Sequence, residues 1–212
     1  MMRLHLFPRP VVFSGWRLLP MPHKLLPVTV KAAVASRSGA TALEFALIAP
    51  ILLALIMGIV ETGLVFAADI LLKNATHTAA RTGRTGFVEV DSTREATVIT
   101  IIKRQADLLM DPAKLTISSK AYAAFEGVRT PEPFIDANGN GQRDDGENYT
   151  DVNGNGQYDL DRGKTGLGGA SQVVLYTVSY PWTFITPMIG NLITQDGVLT
   201  LTATAVVQNE PY

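Results

Sequence analysis

Gly39–Gly83 reads GATALEFALIAPILLALIMGIVETGLVFAADILLKNATHTAARTG, and the fold class turns on this stretch. Phe45–Val60 holds no charged residue, and after Glu61 the apolar run resumes as far as Ala68. As a helix, Phe45–Ala68 is about 36 Å long at roughly 1.5 Å per residue, enough for a hydrocarbon core of about 30 Å. A soluble core helix seldom needs apolar residues on every face for this long, so the segment is read as a membrane span. Pro50 removes a backbone hydrogen bond and predicts a kink. Ala54, Gly58 and Thr62 recur every four residues as a small-residue stripe, the pattern of a helix-packing face. Glu61 in the outer half of the span requires a partner or the interface, because a bare carboxylate in lipid costs several kcal/mol.

The flanks of the stretch differ in charge. The whole chain of 212 residues carries a net −1, 17% charged residues and no cysteine. Residues 1–39 hold six basic residues and no acidic one, so they carry +6, and the remainder carries −7. By the positive-inside rule the N-terminus lies in the cytoplasm and the C-terminal bulk outside. The five prolines of the basic stretch and its lack of helical periodicity make it a leader or tail rather than a domain, with Met1 and Met21 both open as the start. An apolar run this long exceeds the core of a secretory signal peptide. The charge balance argues against a nucleic-acid partner. The absence of cysteine excludes a disulfide framework and a thiolate metal site.

At the junction stands Ser38-Gly39-Ala40-Thr41-Ala42-Leu43-Glu44-Phe45. It resembles a type IV prepilin cleavage site: basic residues, Gly39, a cut that makes Ala40 the new N-terminus, Glu44 as fifth residue and then Phe45. The small residues would let the chain lie extended in a membrane peptidase. A carboxylate at position 44 can pair with the free amine of a neighbouring subunit when helices bundle. More specifically, Gly39–Gly83 is similar to the TadE-like family, minor pilin-like proteins (pseudopilins) of the tight-adherence, or Tad, pilus system. The resemblance rests on the small residues before Glu44-Phe45, on Pro50, and on Ala79-Ala80-Arg81 with Gly83. Val207-Gln208-Asn209-Glu210-Pro211-Tyr212 also resembles the ends of that family. The family implies an inner (cytoplasmic) membrane protein cut by a prepilin peptidase and partnered by other pilin-like proteins and inner-membrane components of the Tad machine. The long leader departs from the family's short ones.

Beyond the span, Asp69–Arg84 continues the helix and Gly83 and Gly86 end it. Ser92-x-x-Glu95 is a capping box that opens a second helix over about Thr93–Met110, stopped by Asp111-Pro112. Strand-like runs follow at Lys114–Ala121, Gln172–Tyr180 and Gly197–Val207. Tyr180–Ile193 is apolar, but Pro181 and Pro187 argue against a second span, and it is expected to pack as a loop on the sheet. The expected architecture is α+β. It comprises a leader at 1–39, a transmembrane helix and extension at 40–86, and a periplasmic helix plus antiparallel-sheet domain at 87–212 with an insert at 131–169.

The insert is rich in glycine and asparagine and carries −5. It contains a repeat: Asp136-Ala-Asn-Gly-Asn-Gly-Gln-Arg-Asp returns fifteen residues later as Asp151-Val-Asn-Gly-Asn-Gly-Gln-Tyr-Asp. The first copy fits D-x-[DN]-x-[DN]-G-x5-E in full. Asp136, Asn138, Asn140, the Gln142 carbonyl, Asp144 and Glu147 supply the alternating oxygen ligands that a hard Ca²⁺ ion requires, and Gly141 makes the sharp turn. The second copy offers Asp151, Asn153, Asn155, Gln157 and Asp159 but has Arg162 where the bidentate glutamate belongs. Either Asp161 substitutes or the two loops share ligands. No helical pattern flanks either copy, so the insert resembles the tandem calcium loops of dockerin or thrombospondin type 3 repeats rather than a paired EF-hand. One to two ions are expected, at a Kd of about 10⁻⁴–10⁻³ M as in extracellular modules. Their role would be to order a loop that otherwise repels itself.

No catalytic constellation accompanies these features. His5, His23 and His77 are scattered, and H-E-x-x-H, G-x-S-x-G and P-loop motifs are missing. The expected protein is a non-enzymatic, membrane-anchored minor pilin. The competing reading is a calcium-dependent adhesin or binding module on an uncleaved anchor.

Overall fold

The computed structural model describes residues 37–211. Most of the basic stretch, and the choice between Met1 and Met21, fall outside them. The chain divides into two units, residues 1–52 and 53–212, the second being the outer unit. In chain order the elements are helix α1 (Arg37–Arg84), helix α2 (Arg94–Ala106), strands β1 (Thr116–Tyr122), β2 (Lys164–Thr165) and β3 (Val173–Thr183), helix α3 (Pro187–Ile193) and strand β4 (Val198–Gln208). All sheet pairings are antiparallel, in the order β2-β1-β3-β4.

Alternation along β3 sends Val174, Tyr176, Val178, Tyr180 and Trp182 to one face of the sheet. Leu201, Ala203 and Ala205 of β4 join them, and α1 and α2 cover that face with Ala68, Leu72, Ala79, Ala80, Val98, Ile101, Ile102 and Ala106. This two-layer core makes the outer unit α+β, as the helix-then-strands order predicted. The alanines of α1 let the helix approach the large aromatic side chains of β3. Gly83 takes this furthest: a Cβ there would collide with the Tyr176 hydroxyl and stand 3.1 Å from Val98 Cγ2. The small residues Ala79, Ala80 and Gly83 thus make room for the sheet.

Several boundaries differ from expectation. The cap of α2 is Thr93, not Ser92: its side chain accepts from the Ala96 N–H at 3.1 Å, and the helix ends at Ala106 rather than Met110. Strand β3 runs on through Pro181 to Thr183. The proline is tolerated because β1 pairs only as far as Ser179, so the missing N–H faces a side with no partner strand. The rest of the supposed loop is α3, opened by Pro187 at its first turn. Strand β2 is too short to leave a periodic signal.

Both ends of the outer unit are tied together through Arg94. Its guanidinium donates to the Gly83, Gly168 and Leu167 carbonyls and to Asn209 Oδ1, the last at 2.8 Å. Asn209, buried, donates in turn to Leu167 O and Gly169 O. Glu210 N–H donates to Arg84 O, and the two side chains form an exposed ion pair.

Candidate functional site

α1 is the only helix among the described residues that is long and apolar enough to cross a membrane. Its start carries the expected processing junction: Gly39–Ala40 is helical, not extended, and Glu44 and Phe45 are exposed. An extended conformation at this junction would require local unwinding. From Gly39 to Val60 no residue is buried.

The expected span must be shortened at its outer end. Glu61 is 1% exposed, and Ala68 is fully buried in the core of the outer unit, with Leu64 and Val65 packed against it. Glu61 Oε1 accepts from the Thr186 N–H, so the carboxylate is enclosed by the domain. The unburied apolar part of the helix thus ends at Val60. Within the small-residue stripe, the Thr62 hydroxyl donates to its own helix at Gly58 O, 2.8 Å away.

The second candidate region is the insert. It leaves and rejoins the domain at one neck: Arg162 N–H donates to Thr130 O and Glu132 N–H to Asp159 O, each at 3.0 Å. Inside, Asp136 closes the first loop by accepting from the N–H groups of Gly139, Asn140 and Gly141. Asp151 does the same in the second with Gly154, Asn155 and Gly156. These donors, led by Gly141 and Gly156, hold both carboxyls below the usual range. Gly141 and Gly156 adopt φ of +77° and +78°, which glycine alone reaches without strain.

The glutamates complete the pattern. Glu147 accepts from the N–H of Ala137 at 2.8 Å and of Asp144 at 2.9 Å, the second and ninth positions of its loop. In the second loop the equivalent donors, Val152 at 2.8 Å and Asp159 at 3.2 Å, give to Glu132. Glu132 is 1% exposed and precedes both loops. Asp161 accepts instead from Lys120 Nζ at 2.9 Å and the Tyr122 hydroxyl at 2.8 Å. Burial works to raise its carboxyl, but the bonds from Lys120 and Tyr122 outweigh it and hold the group low. Tyr122, buried and facing that charge, is pushed up to about 12.

The exchange of glutamates follows from a two-fold relation. Phe134 bridges Tyr149, its own equivalent fifteen residues on, with Ile135 N–H donating to Asn148 O and Thr150 N–H to Pro133 O. Glu132 and Glu147 are equivalents as well, so the repeating unit is E-x3-D-x-N-x-N-G-x2-D, and each glutamate closes the other unit's loop. Reading the motif only from its first aspartate hid Glu132; the fifteen-residue spacing of the two glutamates was the available signal. Arg143 lies 4.9 Å over the Tyr149 ring and 5.0 Å over the Tyr158 ring, which gives the pair of loops a small core of their own.

Among the described residues, no three or more His, Cys, Asp or Glu side chains converge as a metal-holding group. In each loop, two asparagine amides stand among the carboxylates instead: Asn138 and Asn140 donate to Asp144, and Asn153 and Asn155 donate to Asp159. A half-turn of an asparagine amide exchanges its N–H₂ for a carbonyl oxygen at the same point, so a set of donors becomes a set of acceptors. Gln142 and Gln157 present backbone N–H groups to Asn140 and Asn155, which orders the seventh position of each loop.

Residues 39–81 match the family model of the TadE-like proteins. Neither a curated protein nor a solved structure matches the chain. The match covers the apolar helix up to Arg81 and stops short of the insert.

Proposed function

We propose that the chain is a membrane-anchored, pilin-like subunit of the Tad pilus system, cut by a prepilin peptidase after Gly39 and carrying a calcium-ordered outer domain. The observation that carries the reading is the coincidence of the TadE-like match with the exposed apolar helix. The helix anchors the chain in the inner membrane and packs against other pilin-like helices. After cleavage Ala40 bears a free amine, and Glu44 is placed to pair with that of a neighbour. The outer domain lies in the periplasm and contacts other components of the Tad machine. Its work is assembly, not catalysis.

Calcium enters through the acidic loops. Asp136, Asn138, Asn140, Gln142, Asp144 and Glu147 would form one site. Asp151, Asn153, Asn155, Gln157, Asp159 and Glu132 would form the other. What supports this is that both glutamates occupy equivalent places around oxygen-rich loops of the same shape. A bound dication offsets the repulsion within a segment that carries −5.

Intact-mass analysis tests processing. Coexpression with the prepilin peptidase should yield a chain that begins at Ala40, and Gly39→Ala should abolish the shift. A chain that keeps its full mass would favour the uncleaved adhesin. Calorimetric titration with Ca²⁺ tests the loops, and Glu147→Ala should remove one binding event.

A further inference from the structure

The outer unit leaves one apolar surface uncovered next to α1. Ile185, Met188, Leu192 and Ile193, on and just before α3, are 69, 59, 80 and 56% exposed. The opposite side of this segment is anchored: Phe184 and Ile189 are buried, and Gly190 packs on Phe184. No charged residue occurs between Tyr180 and Asp196. An isolated apolar residue on a surface needs no explanation, but four large ones on one short element do.

Their position supplies the explanation. The Thr186 N–H donates to Glu61, which pins the start of α3 to α1 at that level. One residue earlier begins the exposed apolar surface of the helix, with Leu53, Leu55, Ile56, Met57, Ile59 and Val60. The two apolar surfaces therefore meet at the Glu61–Thr186 contact, which places the start of α3 within about one helical turn, roughly 5.4 Å, of the end of the α1 surface.

We infer that α3 is a membrane-interface element: Ile185, Met188, Leu192 and Ile193 sit in the bilayer at the headgroup–acyl boundary, beside the point where α1 leaves it. A short uncharged helix held flat against the interface buries its apolar side about 5–10 Å deep. The polar groups of this segment, on Thr186, Asn191 and Thr194, are uncharged, which suits the headgroup layer. With α1, the element gives the outer domain a second point of attachment, so the domain cannot swivel freely about its anchor. This inference rests on the membrane anchoring proposed above.

The test uses the absence of cysteine. Single-cysteine variants Leu192→Cys, Met188→Cys, Leu55→Cys and Leu160→Cys of the full chain are spin-labelled and reconstituted in phosphatidylethanolamine–phosphatidylglycerol vesicles. Collision with oxygen and with a water-soluble nickel chelate is then measured. Labels at 188, 192 and 55 should favour oxygen, and the label at 160, on an exposed loop residue, should favour nickel. If 55 favours oxygen while 188 and 192 favour nickel, the interface assignment is overturned and the anchor stands. If 188 and 192 are shielded from both reagents, a protein covers the patch and the assignment is likewise overturned. If 55 favours nickel, the anchoring fails and the inference with it.

Discussion

Glu132 offers a sharp perturbation because its partners are known atom by atom. It is 1% exposed and accepts from Val152 at 2.8 Å, Asn153 at 3.4 Å and Asp159 at 3.2 Å. Glu132→Gln preserves the shape but leaves one acceptor oxygen. The Val152 bond becomes neutral instead of charge-assisted, a loss of about 1 kcal/mol. The new amide N–H₂ then meets the Asp159 N–H, leaving a poorly hydrated donor facing a donor, at about 1–3 kcal/mol. The total, about 2–4 kcal/mol, is a large share of a domain stability of about 5–15 kcal/mol. Urea unfolding of the full chain in detergent, with EDTA present and circular dichroism as readout, should show a lower midpoint at unchanged slope. In calcium, the same variant should lose the second-loop site and keep the first, and Glu147→Gln should do the reverse. A stability change below about 0.5 kcal/mol, together with two intact calcium sites, would refute the argument that the loops exchange glutamates.

Three further outcomes follow from the packing. Gly83→Ala places a methyl group against the Tyr176 hydroxyl and should destabilise by about 1–3 kcal/mol in thermal or urea unfolding; adding Tyr176→Phe should recover part of that loss. Arg94→Ala and Asn209→Ala each break one shared network, so a double-mutant cycle should give a coupling of about 0.5–3 kcal/mol, and strict additivity would contradict it. Asp161→Asn removes the charge, and weakens the hydrogen bond, that help burial raise Tyr122. The phenol should then ionise at lower pH, moving from about 12 part of the way towards 10.0; alkaline spectrophotometric titration against a Tyr122→Phe control reads the shift.

Much of this architecture was legible because periodicity reports burial directly. Phe45–Val60 is apolar on all sides and no residue of it is buried, and the Thr/Leu/Ala alternation of β4 matches its paired, half-buried place at the sheet edge. The features that escaped depend on neighbours distant in sequence. Pro181 reads as a strand breaker until the position where β1 stops is known. Glu61 reads as a misplaced charge until Thr186 is seen beside it, and its burial shortens the exposed apolar segment. Asp161 is the nearest carboxylate to the incomplete second loop, yet Lys120 and Tyr122 on β1 claim it, and Glu132 supplies the missing contacts from nineteen residues before Asp151. Local spacing fixes which residues can curl a loop; only pairing across the two-fold tells which glutamate closes it.

The closed neck at Thr130 and Arg162 has a practical reach. A segment that departs and returns at one place is a cassette: its ends can be rejoined by a tight turn, or it can be spliced into a hairpin of an unrelated scaffold, and what β1 gives up is the Asp161 contact to Lys120 and Tyr122. The crossed glutamates determine where the scissors must go. A fragment cut at Asp136, where the recognisable motif begins, would carry one finished loop and one open one. The transferable piece begins upstream of Glu132, at the neck itself.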